Sequence, residues 1–127
     1  MLFRSAFVPR TGWPPAHIVA LIHSARGVAS LAHPGVTARD EIIEPLVAAG
    51  LDAIEVYHSD HSPEQQRAYA GIARTQGLAR SGGSDYHGES VADGPGRPKR
   101  ATLGRVFLPA DAFRELEARA DRRSRAR

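Results

Sequence analysis

Short apolar runs alternate with helix-type segments along this chain, and the alternation limits its possible folds more than any other feature. The apolar runs at 28–32, 53–57, 78–82 and 103–108 have the length of buried strands. Segments with apolar residues at helical spacing separate these runs. Strands that alternate with helices form parallel β-α units. The sequence therefore predicts an α/β fold built on a parallel sheet.

The predicted helices cover 16–26, 41–49, about 62–75 and 109–119. The third begins with a capping serine, Ser62, followed by a proline at the first helical position and by Gln65 three residues after the cap. Thr37 and Asp40 resemble a cap before the second helix, in which Pro45 indicates a kink or a late start. A Gly- and Pro-rich segment at 89–100 predicts an irregular loop.

Composition excludes several kinds of site. A chain of 127 residues is at most one ordinary domain. It has no cysteine, so a disulfide framework and a thiolate zinc site are both ruled out. Any metal must be held by His, Asp and Glu, which favours Mn, Fe, Zn or Mg. No apolar run approaches the roughly 18 residues that span a bilayer. We therefore expect a cytoplasmic protein without a membrane partner.

The formal net charge of +3 comes largely from arginines near the C-terminus. One group lies in the tail at 120–127, and another cluster of basic residues lies at 97–100. A basic tail can bind polyanions without specificity. It can equally be a solvated, frayed helix end, which is the simpler interpretation and the one expected here.

Candidate metal ligands follow two of the predicted strands. His33 comes directly after the first strand, and Asp85 and His87 lie two residues apart in the glycine-flanked segment 83–88. Residues i and i+2 of an extended segment point to the same side, and α/β barrels place their chemistry at the carboxyl ends of strands. We predict all three as metal ligands and the last two as catalytic. The alternatives are an Asx turn with a solvated histidine and a helix-entry imidazole bonded to backbone.

Four other residues are candidates for supporting roles. His61 is predicted to contact a substrate phosphate or to donate a proton to the leaving oxygen, the alternative being a local role at a helix start. Arg80 could bind a phosphate through two parallel hydrogen bonds or form a structural salt bridge. Glu55 could accept hydrogen bonds inside the barrel or orient a ligand, and His58 is the weakest candidate of the group.

Three segments taken together resemble a known family. They are 27–35 around Ala-His-Pro-Gly, 50–65, and 82–88 with Gly-Ser-Asp-Tyr-His-Gly. They resemble the C-terminal half of the PHP (polymerase and histidinol phosphatase) domain, in the branch of the 3′,5′-nucleoside bisphosphate phosphatases and the TrpH-like 5′-to-3′ exoribonucleases. The resemblance implies a distorted seven-stranded β/α barrel of the TIM-like kind. It also implies a divalent metal cluster, Mn²⁺ first with Mg²⁺, Fe²⁺ or Zn²⁺ as alternatives, and a nucleotide or short RNA substrate.

The resemblance is partial in a specific way. His33 matches the family's third motif, and Asp85 with His87 matches the fourth, whereas the first motif, His-x-His followed by Asp, is absent. We therefore expect a partial domain over 7–119, six unmatched residues before it and a basic tail after it. The missing N-terminal half would complete the site of a metal-dependent phosphoesterase. The alternatives are a histidinol-phosphate phosphatase, or an inactive fragment that binds nucleic acid or complements a partner.

Overall fold

The computed structural model describes residues 12–86 and 103–125. Within these ranges three strands form one sheet: β1 (Ser30–Leu31), β2 (Ala53–His58) and β3 (Ala79–Gly83). Both neighbouring pairs are parallel, and the spatial order is the chain order. The predicted α/β fold with a parallel sheet is confirmed. Closure into a seven-stranded barrel stays a prediction, although a sequential parallel order is the one that a barrel requires.

The helices occupy the connections between strands. They are α1 (Pro15–Ser24), α2 (Pro34–Thr37), a 3₁₀ turn (Asp40–Ile42), α3 (Ile43–Ala48), α4 (Pro63–Gln76) and α5 (Ala110–Arg125). The predicted start of α4 is confirmed in detail. The Ser62 hydroxyl accepts a hydrogen bond from the backbone N–H of Gln65, whose side chain accepts one from the Ser62 N–H. Gly77 ends the helix at φ 65°, a left-handed conformation suited to glycine.

The second predicted helix begins later than expected. Helix α3 starts at Ile43, so that Pro45 falls in its first turn, where a missing N–H costs little. Asp40 does not cap this helix, because its carboxylate instead accepts a hydrogen bond of 2.8 Å from the Tyr69 hydroxyl. Burial of the phenol, together with that bond, raises the pKa of Tyr69 to about 12. The contact joins the start of the 3₁₀ turn to the middle of α4.

A β-bulge in β2 decides which side chains share a face of the sheet. Glu55 pairs with Ser81 and Tyr57 with Gly82, which leaves Val56 as the extra residue. Without the bulge, Glu55 and Tyr57 would point to the same side. With it, Tyr57 joins Arg80 on one face, and the two side chains hydrogen-bond at 3.1 Å. Glu55 and His58 are thereby turned to the opposite face.

The core lies between the sheet and the helices. Ile54 and Val56 of β2 are almost completely buried, and Tyr69 and Ala73 of α4 pack in the same cluster. Burying such aliphatic side chains contributes roughly 1.5–3 kcal/mol each. No helix in the described ranges is long and apolar enough to cross a bilayer.

Three sequence-based expectations at the C-terminal side are wrong. The described residues 103–109 form no strand, because Gly104 adopts φ 84° and turns the chain, and Phe107 remains 77% exposed. Helix α5 continues past the predicted end at 119, through Arg125. Its last turns are not a frayed end, since Arg123 forms a 2.8 Å ion pair with buried Asp52. The predicted loop at 89–100 lies outside the described residues.

Candidate active site

A pocket of about 110 Å³ lies at the carboxyl ends of the three strands. It brings together two of the three predicted metal ligands, although these are 52 residues apart in sequence. The third, His87, lies outside the described residues. The lining residues are His33, Val36, His58, Ser59, Asp60, Ser84 and Asp85. A hydrogen bond of 3.1 Å from the Ser59 hydroxyl to the Ser84 carbonyl ties two walls of the pocket together.

The backbone holds His33 in an uncommon conformation. Its φ of 30° and ψ of 56° are left-handed, and the following residue is Pro34, which disfavours helical angles at the residue before it. A 2.6 Å hydrogen bond from the His33 N–H to Glu55 Oε2 fixes this geometry. Glu55 thus accepts a hydrogen bond from the backbone of a predicted ligand, in line with the sequence-based expectation for its carboxylate.

Left-handed non-glycine residues are few in the described ranges, and their positions divide into two groups. Arg26 and Ala38 lie at the ends of α1 and α2, where a left-handed residue commonly closes a helix. His33 and Asp85 have φ of 30° and 52°, and both line the pocket. Such conformations cost on the order of 1–3 kcal/mol and concentrate at functional sites. The pocket therefore combines backbone strain with candidate ligands.

His58, the weakest of the sequence-based candidates, also lines the pocket. Its side chain is buried, and Nδ1 accepts a 3.1 Å hydrogen bond from the Asp60 N–H. An imidazole that accepts through Nδ1 carries its proton on Nε2. That buried Nε2 has no hydrogen-bond partner, and neither has the buried Nδ1 of His33. The two rings lie 5.6 Å apart, centre to centre.

His61 is held by backbone on both sides of its ring. Nδ1 donates to the Val56 carbonyl at 2.9 Å, and Nε2 accepts from the Gly35 N–H at 3.2 Å. A Cβ on Gly35 would come within 2.8 Å of the His61 ring, so only glycine permits this approach. The ring therefore has no nitrogen left for a substrate phosphate in this structure. It instead positions the turn that carries His33.

Arg80 does not reach the pocket. Its guanidinium makes two hydrogen bonds to the Glu115 carboxylate, at 3.2 and 2.7 Å, and one of 2.8 Å to Asp111. The bonds to Glu115 and then to Asp111 raise the pKa of Arg80, and the same contacts lower the pKa of each carboxyl group. Of the two alternatives predicted for Arg80, its observed contacts are those of the structural salt bridge.

The described residues contain no complete metal site. Across 12–86 and 103–125, no three His, Cys, Asp or Glu side chains lie close enough together to hold a metal ion. Two features nevertheless fit one: the unpaired buried nitrogen of His33 and the position of Asp85 on the same pocket. The donor types are those that divalent transition metals accept. His58 fits less well, because its Nε2 carries the proton.

The chain is similar in sequence to a phosphatase and a phosphodiesterase. It is 36% identical over 109 residues to the 3′,5′-nucleoside bisphosphate phosphatase of Chromobacterium violaceum, which covers 80% of this chain and 36% of the enzyme. It is 41% identical over 63 residues to the phosphoribosyl 1,2-cyclic phosphate 1,2-diphosphodiesterase of Eggerthella lenta, which covers 50% of this chain and 24% of that enzyme. The chain thus spans about a quarter to a third of these relatives. No protein-family profile matches it.

Solved structures resemble the chain in fold. One is a protein from Bifidobacterium adolescentis described as a metal-dependent phosphoesterase, with a TM-score of 0.67 and 31% sequence identity. The match covers 93% of this chain and 41% of that protein. Another is an amidohydrolase from Chromobacterium violaceum with bound sulfate and no metal, with a TM-score of 0.65 and 33% sequence identity. The match covers 89% of this chain and 39% of that protein. The resemblance predicted from the three sequence segments is confirmed by these relatives.

Proposed function

Since this chain is homologous to part of a 3′,5′-nucleoside bisphosphate phosphatase and part of a cyclic phosphodiesterase, we propose that it forms part of the active site of a metal-dependent phosphoesterase. The observation that carries the proposal is that two residues lining one pocket at the strand ends, His33 and His58, each have a buried imidazole nitrogen without a hydrogen-bond partner. Leaving a buried polar group unpaired costs about 1–3 kcal/mol, so the fold accepts this cost where a ligand can recover it.

We propose that His33, Asp85 and His87 hold the metal. In support, His33 Nδ1 is buried and unpaired, and Asp85 lines the same pocket. Glu55, through the His33 N–H, would fix the direction of that imidazole, as carboxylates do around many metal sites. A bound divalent ion would polarise phosphate oxygens and lower the pKa of a bound water. Further donors would come from outside the described residues, since the chain spans only 36% of the nucleoside bisphosphatase.

The phosphate-binding role falls to His58. His58 lines the pocket, and its buried Nε2–H has no acceptor of its own. A phosphate oxygen can accept this hydrogen bond. A hydrogen bond to a charged oxygen is also stronger than one to a neutral acceptor. His61, predicted for this role, would act instead as a positioning residue through Gly35. Arg80 would act only in joining β3 to α5.

The substrate is proposed to be a small phosphate ester of a nucleoside or a phosphoribosyl group, or the 5′ end of a short RNA. The nucleoside bisphosphatase covers most of this chain, which favours a nucleoside 3′,5′-bisphosphate over the cyclic ester. Neither of these two relatives is named as a histidinol-phosphate phosphatase.

Phosphate release from a nucleoside 3′,5′-bisphosphate in Mn²⁺, by the complete gene product, tests this proposal. Two substitutions of His58 form a matched pair. His58→Asn keeps an acceptor where Nδ1 lies and removes the Nε2 donor, whereas His58→Gln keeps an N–H near Nε2. We expect turnover to fall about 100-fold in His58→Asn and about 10-fold in His58→Gln, within the range of lost electrostatic stabilisation. His17→Ala, on the exposed surface of α1, is the control.

His33→Ala is expected to abolish turnover and to weaken Mn²⁺ binding, measured by the electron paramagnetic resonance of free Mn²⁺. Phosphate release that is equal in EDTA, or that is unchanged in both His33→Ala and His58→Asn, would contradict the proposal.

A further inference from the structure

A second concave surface lies between helices α4 and α5, beside the beginning of β3. This α4–α5 groove has a volume of about 750 Å³ and is lined by five arginines and one glutamate. The arginines are Arg67, Arg74, Arg80, Arg119 and Arg122. The glutamate, Glu115, is already bonded to Arg80. The groove therefore has a large excess of positive charge.

The groove cations differ in how far they are neutralised. Arg67 pairs with Glu64 through an exposed contact that contributes little. Arg119 donates to the Gly77 carbonyl, which leaves its charge without a counter-ion. Within the described ranges, Arg74 and Arg122 pair with no carboxylate, and both side chains are exposed. Three guanidinium groups are thus available to an anion that enters the groove.

The spacing of the cations suits a chain of charges better than a single ion. Arg67 and Arg74 are seven residues apart on α4, about 10 Å along the helix. Arg119 and Arg122 stand on the opposite rim, three residues apart on α5. A single phosphate cannot contact both ends of such an array, whereas successive phosphates of one strand can. Guanidinium groups match phosphate oxygens through paired N–H donors.

The floor of the groove is made of small residues, and one of them is unexpected. Gly71 lies in the interior of α4, where glycine costs about 1 kcal/mol relative to alanine. A Cβ built on Gly71 meets no atom within 4 Å, so packing does not require glycine. The absence of a side chain keeps the floor open between the two rows of arginines. No aromatic residue lines the groove, so that bases would find no stacking platform there.

We propose that the α4–α5 groove binds the sugar-phosphate backbone of single-stranded nucleic acid, without reading its sequence. Arginines of both helices line the same groove, and their charge acts on phosphates alone. The groove lines the beginning of β3, whereas the pocket with His33 lies at the strand ends. Binding there does not require the metal and does not depend on the proposed hydrolysis.

The test uses the full chain in EDTA and a fluorescein-labelled single-stranded RNA of 12 nucleotides, followed by anisotropy at several salt concentrations. We expect Arg74→Gln with Arg122→Gln to weaken binding on the order of tenfold at 50 mM salt. The slope of log affinity against log salt should fall by about 1.4, which corresponds to two lost phosphate contacts. Arg114→Gln with Arg125→Gln removes the same charge from α5 outside the groove and should have little effect.

Gly71→Glu sharpens the test, because it should weaken binding while it stabilises the helix. Glutamate is a better helix former than glycine, so reduced binding cannot then be attributed to unfolding. Gly71→Gln, of the same size without the charge, should weaken binding less. Equal losses in the groove pair and the control pair, or wild-type anisotropy with Gly71→Glu, would overturn the proposal. The proposal would also be overturned if the chain bound phosphatidylserine vesicles but no RNA, and if the same variants lost that vesicle binding.

Discussion

The two ends of the sheet hold similar side chains in opposite states. At the beginning of β2, buried Asp52 accepts hydrogen bonds from His23 Nε2, the Ala29 N–H and Arg123, all within 3 Å. At the other end, His33 and His58 each keep a buried ring nitrogen without a partner. A fully paired cluster stabilises the fold, whereas an unpaired one leaves bonds for a ligand. The difference distinguishes a structural cluster from the proposed functional site on the same three strands.

The largest predicted effect breaks the paired end. Asp52→Ala should lower the free energy of unfolding by about 3 kcal/mol, because three hydrogen-bond donors lose a buried acceptor and one of them, Arg123, is a cation. Urea denaturation measures this. Asp121→Ala on the exposed side of α5 is the matched control and should stay within about 0.5 kcal/mol. A loss below 1 kcal/mol in Asp52→Ala would remove the contrast between the two ends.

A smaller effect is expected for the salt bridge that joins β3 to α5. Arg80→Gln should cost about 1–2 kcal/mol, since the guanidinium is 22% exposed and partly screened. The Michaelis constant for a phosphate ester should not change. A tenfold increase in that constant without a loss of stability would show that Arg80 binds phosphate, as one sequence-based alternative held.

Acid should weaken the paired end in a defined range. Burial raises the pKa of Asp52, but the bonds from Ala29, Arg123 and His23 outweigh it and hold the pKa below its ordinary 3.8. A carboxyl with a depressed pKa stabilises the fold above its unfolded value and loses that contribution as the pH falls through the folded value. Wild-type stability should therefore drop below about pH 4, more steeply than in Asp52→Asn. Parallel pH profiles of the two proteins would contradict this.

The smallest change in stability is expected at the unpaired end. His58→Asn should lower the free energy of unfolding by about 1 kcal/mol, because it keeps an acceptor for the Asp60 N–H but replaces a buried ring with a smaller side chain. Thermal unfolding in EDTA measures it. A loss of 2 kcal/mol or more would mean that the ring serves packing, and the proposed phosphate role would fail.

Sequence patterns predicted the sheet, the start of α4 and the meeting of His33 with Asp85, because caps, glycine stops and strand-end positions are local signals. They made His58 the weakest candidate. Simple alternation along β2 would place Glu55 and Tyr57 on one face, and only the bulge at Val56 brings Glu55 and His58 to the same face. The contacts of the His61 ring could not be predicted, since one of its two backbone partners, Gly35, lies 26 residues away in sequence. The apolar run at 103–108 has the composition of a strand but forms none, and the chain turns at Gly104.

The most direct test of the central claim is the ring ¹⁵N spectrum of the histidines, recorded before and after addition of Zn²⁺ as a diamagnetic probe. We predict that Nδ1 of His33 shifts on metal binding, that His58 stays protonated at Nε2, and that His23 and His61 do not change. Shifts at His23 or His61, with none at His33, would contradict the claim that the unpaired imidazole at the strand ends marks the ligand site.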